Sequence, residues 1–186
     1  MNRPELQALA EGELAKQKEF RCRVLCCAST ACLSSGGQEV RKALQDELKA
    51  AGLLKEVQLV ATGCKGLCSR GPVVEVESAG GERVLYANVT PEAAQQIARG
   101  HLAGGQPLAD YQMDANSPFF TKQLRVVLSN TGLIDPERIE DYIAHGGYAA
   151  LAHALRELTP EEVCSLIRKS GLRGRGGAGY ATGLEW

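Results

Sequence analysis

The chain has 186 residues, which allows one large domain or two small ones. Hydrophobic residues make up 44% and charged residues 23%, and 21 basic against 22 acidic residues leave a net charge of −1. This balance lacks the basic excess that nucleic-acid or anionic-membrane partners require, so we expect neither. Apolar runs are short, as in residues 149–152, and the N-terminus has no signal-peptide pattern, so we expect no membrane insertion and a cytoplasmic location.

The first predicted elements are a helix over residues 5–19 and a strand over residues 20–27. The apolar stripe of this helix consists of Leu6, Leu9 and Leu14. One face of the strand carries Cys22, Val24 and Cys26. After the small-residue loop 28–37, a capping box formed by Ser35 and Gln38 predicts a second helix, which ends at Gly52.

Three more strands and a third helix complete the predicted α/β unit. The strands cover residues 57–61, 73–77 and 83–88, and the last two are joined by a glycine-containing hairpin turn. Thr90 is predicted to cap a helix that ends near Gly104, because proline follows it at the first helical position. The order strand, helix, strand, strand, strand, helix indicates one domain over residues 20–104, large enough for its own core.

A mostly helical second region is predicted over residues 118–186, after a linker over residues 105–117 that is rich in Gly, Pro, Asp and Asn. Residues 124–128 are apolar and are compatible with a strand or a helical turn. Helices are predicted over residues 135–145, opened by Asp135-Pro136, over residues 148–158, and after the capping box that Thr159 opens. The inward side chains of the first of these helices are predicted to be Ile139, Tyr142 and Ile143.

Four of the 7 cysteines form the clearest chemical motif. Four residues separate Cys27 from Cys32, and three separate Cys64 from Cys68. Each pair follows a predicted strand, so both loops should project from the same end of a sheet. Two loops with two thiolates each are the usual arrangement for an all-cysteine iron–sulfur cluster. The glycines at positions 63 and 66 would let the backbone approach the inorganic sulfide closely.

Other interpretations of the cysteines stay open. Disulfides are disfavoured by the odd count and the expected reducing compartment, whereas a structural zinc would accept four thiolates. Thioredoxin chemistry needs Cys-x-x-Cys, which is absent, and plant-type ferredoxin spacing fails because Ser35 stands where a cysteine is required. Cys22 and Cys26 are predicted to be packed as small hydrophobes, although Cys26 competes with Cys27 as a ligand, and Cys164 is predicted to be core.

The glycine-rich stretch near the end of the chain formally matches a dinucleotide-binding fingerprint, Gly174-x-Gly176-x-x-Gly179. A predicted helix precedes it where the fingerprint requires a strand, so we reject a standard Rossmann site. Consecutive backbone N–H groups could still cradle an anion or a flavin, with charge added by Arg173 and Arg175, and a flexible hinge is equally compatible with the composition. We find no general acid, base or nucleophile, and predict that the histidines lie on helix surfaces: His101, His145 and His153.

Residues 20–104 resemble the thioredoxin-like 2Fe–2S ferredoxin family, which includes the small subunit of NADH:quinone oxidoreductase (complex I). The resemblance rests on three stretches, Cys-Ala-Ser-Thr-Ala-Cys at 27–32, Gly-Cys-Lys-Gly-Leu-Cys at 63–68 and Gly-Pro-Val-Val at 71–74. It implies a thioredoxin-like α/β fold and a cluster. The ligands that it implies are Cys27, Cys32, Cys64 and Cys68.

The second region resembles the start of the complex I flavin subunit, above all in Ser-Gly-Leu-Arg-Gly-Arg-Gly-Gly-Ala-Gly-Tyr at 170–180. The fused order is similar to the diaphorase subunit of NAD-linked hydrogenases, with related subunits in formate dehydrogenases. Residues 118–186 are then expected to be the truncated N-terminal part of an FMN- and NADH-binding domain. The cofactor-binding residues implied by the resemblance are Gly174, Arg175, Gly176, Gly177, Ala178, Gly179 and Tyr180.

This resemblance implies an FMN-dependent NAD(P)H oxidoreductase subunit, in which hydride passes to FMN and single electrons pass to iron–sulfur clusters, or the reverse. Its partners would be NAD(P)H and other iron–sulfur subunits of a hydrogenase, a formate dehydrogenase or a complex I-like assembly. Tyr180 stands where the family usually has Phe, and Glu185 where it usually has Lys, which leaves NAD or NADP open. The alternatives are a stand-alone 2Fe–2S electron carrier without catalysis and a zinc-stabilised interaction module.

Overall fold

A computed structural model describes residues 3–186. Most of the regular structure before residue 114 belongs to one mixed sheet and its helices. These elements are α1 (Arg3–Lys18), β1 (Cys22–Cys27), α2 (Thr30–Ser34), α3 (Gly37–Ala50), β2 (Val57–Thr62), β3 (Val74–Ser78), β4 (Arg83–Tyr86), α4 (Pro91–Gln96) and β5 (Gln112–Met113). The later elements are helical: α5 (Pro118–Thr121), α6 (Ile139–Ala144), α7 (Ala149–Glu157), α8 (Pro160–Ser170) and α9 (Thr182–Glu185). None of the helices in these residues is long and apolar enough to cross a membrane.

The five strands lie in the order β2-β1-β3-β4-β5. β1 and β2 are parallel, and the other neighbours are antiparallel. The predicted α/β class is therefore confirmed, and the four predicted strands form β1 to β4. Two elements differ from the predictions: α2 lies inside the stretch predicted to be the loop 28–37, and β5 lies inside the segment predicted to be a linker, where it adds an edge strand beside β4.

The main core lies on the face of the sheet that packs against α3 and α4. Alternation in β1 directs Cys22, Val24 and Cys26 into this core, together with the fully buried Tyr86 from β4. The prediction that Cys22 and Cys26 pack as small hydrophobes is thus confirmed. Burial raises the pKa of Cys26 to about 12, so its sulfur stays a neutral thiol.

Two of the three predicted helix caps are confirmed. Thr90 accepts a hydrogen bond from the Ala93 N–H at 3.2 Å, and Thr159 forms the full capping box at the start of α8. The capping box at Ser35 is wrong. The short helix α2 reaches this residue, and the Ser35 hydroxyl donates to the Ala31 carbonyl at 3.0 Å, while α3 starts after Gly36 at φ 92°.

The opposite face of the sheet carries both apolar and charged side chains, and the second region contacts it through Asp141. Asp141, 1% exposed, accepts hydrogen bonds from the Gln17 side chain and the Asp135 N–H, each at 2.8 Å. Its Oδ2 atom also lies 3.6 Å from Nη2 of Arg23 in β1. A buried polar network therefore joins the N-terminal helix, the sheet and the second region.

This network explains why the predicted stripe of α1 is wrong. Leu6 is buried, but Leu9 and Leu14 are exposed, and the other buried positions of the helix are Glu13 and Gln17. The helix packs on a polar surface, so its inward face carries groups that can form ion pairs and hydrogen bonds. Glu13 pairs with Arg138 at 3.1 Å, a partner that lies far away in the sequence.

Several predictions for the second region also need correction. Residues 124–128 form no strand, and only residues 127 and 128 belong to a turn, in which the Leu128 carbonyl accepts from the Thr131 N–H; Leu124 and Val127 are 90% and 94% exposed. The helix expected at Asp135 begins only at Ile139, because the Asp135 carboxylate accepts from the Glu137 N–H and makes a local turn. Of its three predicted inward side chains only Ile143 is buried.

Two predictions about single residues differ as well. Cys164 is only half-buried, because the face of α8 that carries it is partly open to solvent. His101 does not lie freely on a helix surface: α4 continues as a π-helical turn over Ile97–Ala103, which turns His101 toward Tyr86. The Tyr86 hydroxyl lies 2.8 Å from Nδ1 of His101.

Candidate metal centre

The parallel pairing of β1 and β2 brings the two cysteine loops to one edge of the sheet. Cys27 is the last residue of β1 and is paired with Thr62, the last residue of β2, so Cys64 follows only two residues later. Cys32 lies on the short helix α2, and Cys68 begins a 3₁₀ turn. The expectation that both loops project from the same end of the sheet is confirmed.

The four thiols form a chain of neighbours rather than one tight group. Cys64 and Cys68 have their sulfurs 3.6 Å apart, close to the roughly 3.8 Å expected for two thiolates about 2.3 Å from one tetrahedral metal. Cys27 lies close enough to Cys32 and Cys64 to influence the pKa of both thiols, which places it between the two pairs. Within residues 3–186, no three His, Cys, Asp or Glu side chains are gathered as a single-ion site. Cys64 and Cys68 are thus the two thiols whose present separation suits ligation of one metal ion.

Exposure changes in steps across the centre. Cys27 and Cys32 are buried, Cys64 is half-buried and Cys68 is exposed. All four sulfurs are free thiols, so no disulfide competes for them. One side of the centre is therefore enclosed by protein, whereas the side at Cys68 faces solvent.

The local environment sets the order in which the metal-free thiols ionise. The Gly66 N–H donates to Cys64 Sγ at 3.3 Å, and this bond lowers the pKa of Cys64. Burial, helped by the neighbouring Cys27, raises the pKa of Cys32 to about 12. The hydrogen bond that the Cys68 thiol donates to Cys64 Sγ raises the pKa of Cys68. A metal must therefore displace protons from Cys32 and Cys68, whereas the lowered pKa of Cys64 favours its thiolate form.

Three glycines shape the centre, one of which sequence reasoning missed. Gly66 has φ +83°, a conformation that favours glycine, and this turn points its N–H at Cys64. A side chain at Gly63 would meet Thr131 at 3.3 Å, so this glycine also permits close packing against the second region. The missed residue is Gly71, where a Cβ atom would lie 3.0 Å from Cys32 Sγ.

The predicted cofactor-binding residues 174–180 form one closed, exposed loop. Its ends are joined by an antiparallel bridge between Arg173 and Ala181, and the Gly174 N–H donates to the Tyr180 carbonyl at 2.8 Å. The Arg173 guanidinium donates to the Gly179 carbonyl at 3.0 Å, so this arginine braces the loop itself. Gly177 and Gly179 adopt φ values of 111° and 63°. Positive φ values favour glycine, so the backbone conformation accounts for the glycine at these two positions.

The known proteins that are similar to this chain fall into two groups. Residues 13–101 match the model of the thioredoxin-like [2Fe-2S] ferredoxin family. The chain is 34% identical over 82 residues to "Ferredoxin, 2Fe-2S" of Clostridium pasteurianum, which covers 44% of this chain and 78% of that protein. A solved thioredoxin-like [2Fe-2S] ferredoxin from Aquifex aeolicus is 30% identical with a TM-score of 0.46, over 52% of this chain and 98% of that one.

The second group consists of much longer proteins. The chain is 58% identical over 65 residues to "NADP-reducing hydrogenase subunit HndC" of Solidesulfovibrio fructosivorans, 35% of this chain and 13% of the relative. It is 49% identical over 61 residues to an NADH-quinone oxidoreductase subunit from Rhizobium meliloti, 33% of this chain and 14% of the relative. The matches thus span less than a sixth of the length of these two relatives.

Proposed function

The chain belongs to the thioredoxin-like 2Fe–2S ferredoxin family, and we propose from this premise that it carries electrons through a 2Fe–2S cluster bound by Cys27, Cys32, Cys64 and Cys68. The observation that carries the proposal is the pair of cysteine loops that the parallel strands bring to one sheet edge, with the sulfurs of Cys64 and Cys68 only 3.6 Å apart. The donors are soft and all of one kind, as such clusters require.

The protein's own residues perform three tasks at this centre. The four sulfurs, once deprotonated, hold the iron ions. The Gly66 N–H stabilises negative charge on Cys64, and the buried side at Cys27 and Cys32 excludes water. The exposed Cys68 leaves one edge open, through which a redox partner can approach. When bound, the cluster supplies one-electron oxidation and reduction.

The second part of the proposal places this centre in a larger enzyme. We infer that residues 118–186 begin a domain that binds FMN and NAD(H) in an NAD(P)H oxidoreductase subunit. The residues that would contact these cofactors are Gly174, Arg175, Gly176, Gly177, Ala178, Gly179 and Tyr180. The names of the hydrogenase and quinone oxidoreductase relatives support this inference, and so does the closed loop with glycines in left-handed conformations. The partners would be other iron–sulfur subunits of such an assembly, in the cytoplasm.

The first test is a metal and sulfide analysis of the chain purified without oxygen. We expect iron and acid-labile sulfide in equal amounts, about two of each per chain. The reduced protein should give an electron paramagnetic resonance signal of a single unpaired electron per cluster. One zinc per chain without sulfide would refute the electron-transfer function and favour a structural module.

Cysteine variants test the assignment of the ligands. Serine at position 27, 32, 64 or 68 should lower the iron content or change the resonance signal, because the sulfur ligand is lost. Cys164→Ser is the matched control and should keep the full iron and sulfide content. Cys26→Ala should also keep the iron and sulfide, because Cys26 points into the main core. If Cys26→Ala lost iron and Cys27→Ser retained it, Cys26 would be the ligand and Cys27 would not.

A further inference from the structure

The loop that carries Cys64 and Cys68 is held by a segment outside the ferredoxin family match. We call this segment, residues 125–132, the clasp segment. The Arg125 guanidinium donates to the Lys65 carbonyl at 2.9 Å, and the Lys65 ammonium donates to the Gly132 carbonyl at 2.8 Å. Both contacts involve the residue that directly follows Cys64. The clasp segment therefore holds the middle of the loop that carries Cys64 and Cys68, which we call the ligand loop.

The Lys65 side chain is fixed in one direction by a buried ion pair. Its ammonium pairs with Glu75 of β3, and the two side chains are only 10% and 11% exposed. Desolvation of two charges costs free energy that their attraction must offset, so such a pair specifies a geometry more than it adds stability. Lys65 is thus anchored to the sheet on one side and to the clasp segment on the other.

Close packing accompanies the polar contacts. Gly132 has φ +83°, and a Cβ atom there would lie 2.7 Å from Cγ of Lys65. Such a separation essentially never occurs between a real Cβ atom and its neighbours, so the position accepts only glycine without movement. Thr131 lies against Gly63, at 3.3 Å from the place of its missing Cβ atom. At Thr131 and Gly132 the clasp segment therefore packs closely against the ligand loop.

We propose that Arg125 and Gly132 are positioning residues for the cluster, and that the clasp segment controls how firmly the cluster is bound and how far its ligand loop opens. The proposal rests on the proposed function, since the cysteines of this loop are half of the ligand set. The loop contains Gly66 at φ +83°, and glycine gives a free loop many conformations, so restraint must come from outside it. The clasp segment supplies that restraint.

The test compares two pairs of variants in the whole chain. Gly132→Ala is matched by Gly146→Ala, because Gly146 has φ +86° and open space around the missing Cβ atom. Backbone strain is then equal in the two variants, and only Gly132→Ala pushes on Lys65. Arg125→Ala is matched by Lys122→Ala, which removes an exposed positive charge nearby.

Three measurements are made on each variant: the rate of iron release to a chelator, the midpoint potential, and hydrogen–deuterium exchange of the backbone over residues 63–68. We expect iron release on the order of 10-fold faster in Gly132→Ala and Arg125→Ala, as for other lost outer-shell contacts to metal ligands. The midpoint potential should shift, and exchange should rise in residues 63–68 but not in β1. The two control variants should match the unmodified chain.

Equal release rates, potentials and exchange in all five proteins would overturn the proposal while leaving the proposed function intact. Equal changes in Gly132→Ala and Gly146→Ala would also overturn it, because general destabilisation would then explain both. If the unmodified chain holds no iron or sulfide, the proposed function fails. Exchange over residues 63–68 in the metal-free variants then still decides whether the clasp segment restrains the loop.

Discussion

Asp141 is a carboxylate buried in the protein interior, where charged groups are rare. It is 1% exposed, and it lies where α1, the sheet and α6 meet. Its nearest opposite charge is Arg23, whose Nη2 atom is buried and has no hydrogen-bond partner within residues 3–186. Arg23 also lies 3.8 Å from Glu77, a weaker contact. The Arg23 Nε atom donates to the Gln58 side chain at 2.9 Å, and Asp141 is the more deeply buried of the two carboxylates beside the guanidinium.

Replacing Asp141 with alanine should destabilise the chain strongly. A buried charge that loses its partner typically costs about 3–5 kcal/mol of unfolding free energy. Asp141→Asn should cost less, because it keeps the acceptor for the Gln17 amide at 2.8 Å. The comparison is made by chemical denaturation of both variants.

Asp46→Ala provides the control for this experiment. Asp46 forms an exposed ion pair with Lys42 at 2.6 Å, and such pairs contribute less than about 1 kcal/mol. Equal losses of stability for Asp141→Ala and Asp46→Ala would show that the network between α1, β1 and α6 does not hold the second region to the sheet.

At the scale of elements, the contact between β4 and the π-helical turn after α4 joins a phenol to an imidazole. The Tyr86 hydroxyl accepts from the Leu108 N–H at 3.1 Å, so its single hydrogen is available for Nδ1 of His101 at 2.8 Å. The imidazole accepts this hydrogen bond only when its Nδ1 atom carries no proton. Burial lowers the pKa of His101 below its usual 6.5, which agrees with a neutral ring.

This lowered pKa predicts a loss of stability in mild acid. Above pH 6.5 His101 is neutral in both the folded and the unfolded chain, and its contribution is fully present. As the pH falls below 6.5, the unfolded chain binds the proton first, so stability declines until the folded state is protonated too. His101→Asn does not titrate, so its free energy of unfolding should fall less between about pH 7.5 and about pH 5.5. Parallel pH profiles would contradict this assignment.

The elements that could be predicted from the sequence are those with local signals. Thr90 and Thr159 cap their helices through contacts three residues away, and the strand alternation at Cys22, Val24 and Cys26 needs only a sheet with one apolar face. The stripe of α1 could not be predicted in this way. Its burial pattern depends on Asp141 and Arg138, which lie more than a hundred residues away.

The candidate metal centre also has a part that could be predicted from the sequence and a part that could not. Its four cysteines could be proposed from spacing, because each pair closes within one loop. The residues that hold the ligand loop could not, because Lys65 meets Glu75 through strand pairing and Gly132 through the fold of the second region. The hydrophobic periodicity of the sequence does not indicate such contacts. Gly71 was missed for the same reason, since its neighbour Cys32 belongs to another loop.

For the whole molecule, residues 123–128 are the most accessible irregular stretch between the sheet and the later helices. Leu124, Val126 and Val127 are 90%, 73% and 94% exposed. Thermolysin cuts before large apolar residues, so the first cut should fall in this stretch. Mass spectrometry of short digests identifies the cut, and the N-terminal fragment should contain the four candidate ligand cysteines. A first cut within residues 20–104 would contradict the predicted domain division.

The parallel pairing of β1 and β2 also bears on how the protein is made. Backbone hydrogen bonds between these strands set the distance between the two cysteine loops, and the main core contains none of the four candidate ligand cysteines. In small zinc domains metal binding and folding are one event, whereas this core needs no metal ligand in order to close. We therefore expect the metal-free chain to keep its main core, so that iron and sulfide would be delivered to a sheet that is already formed.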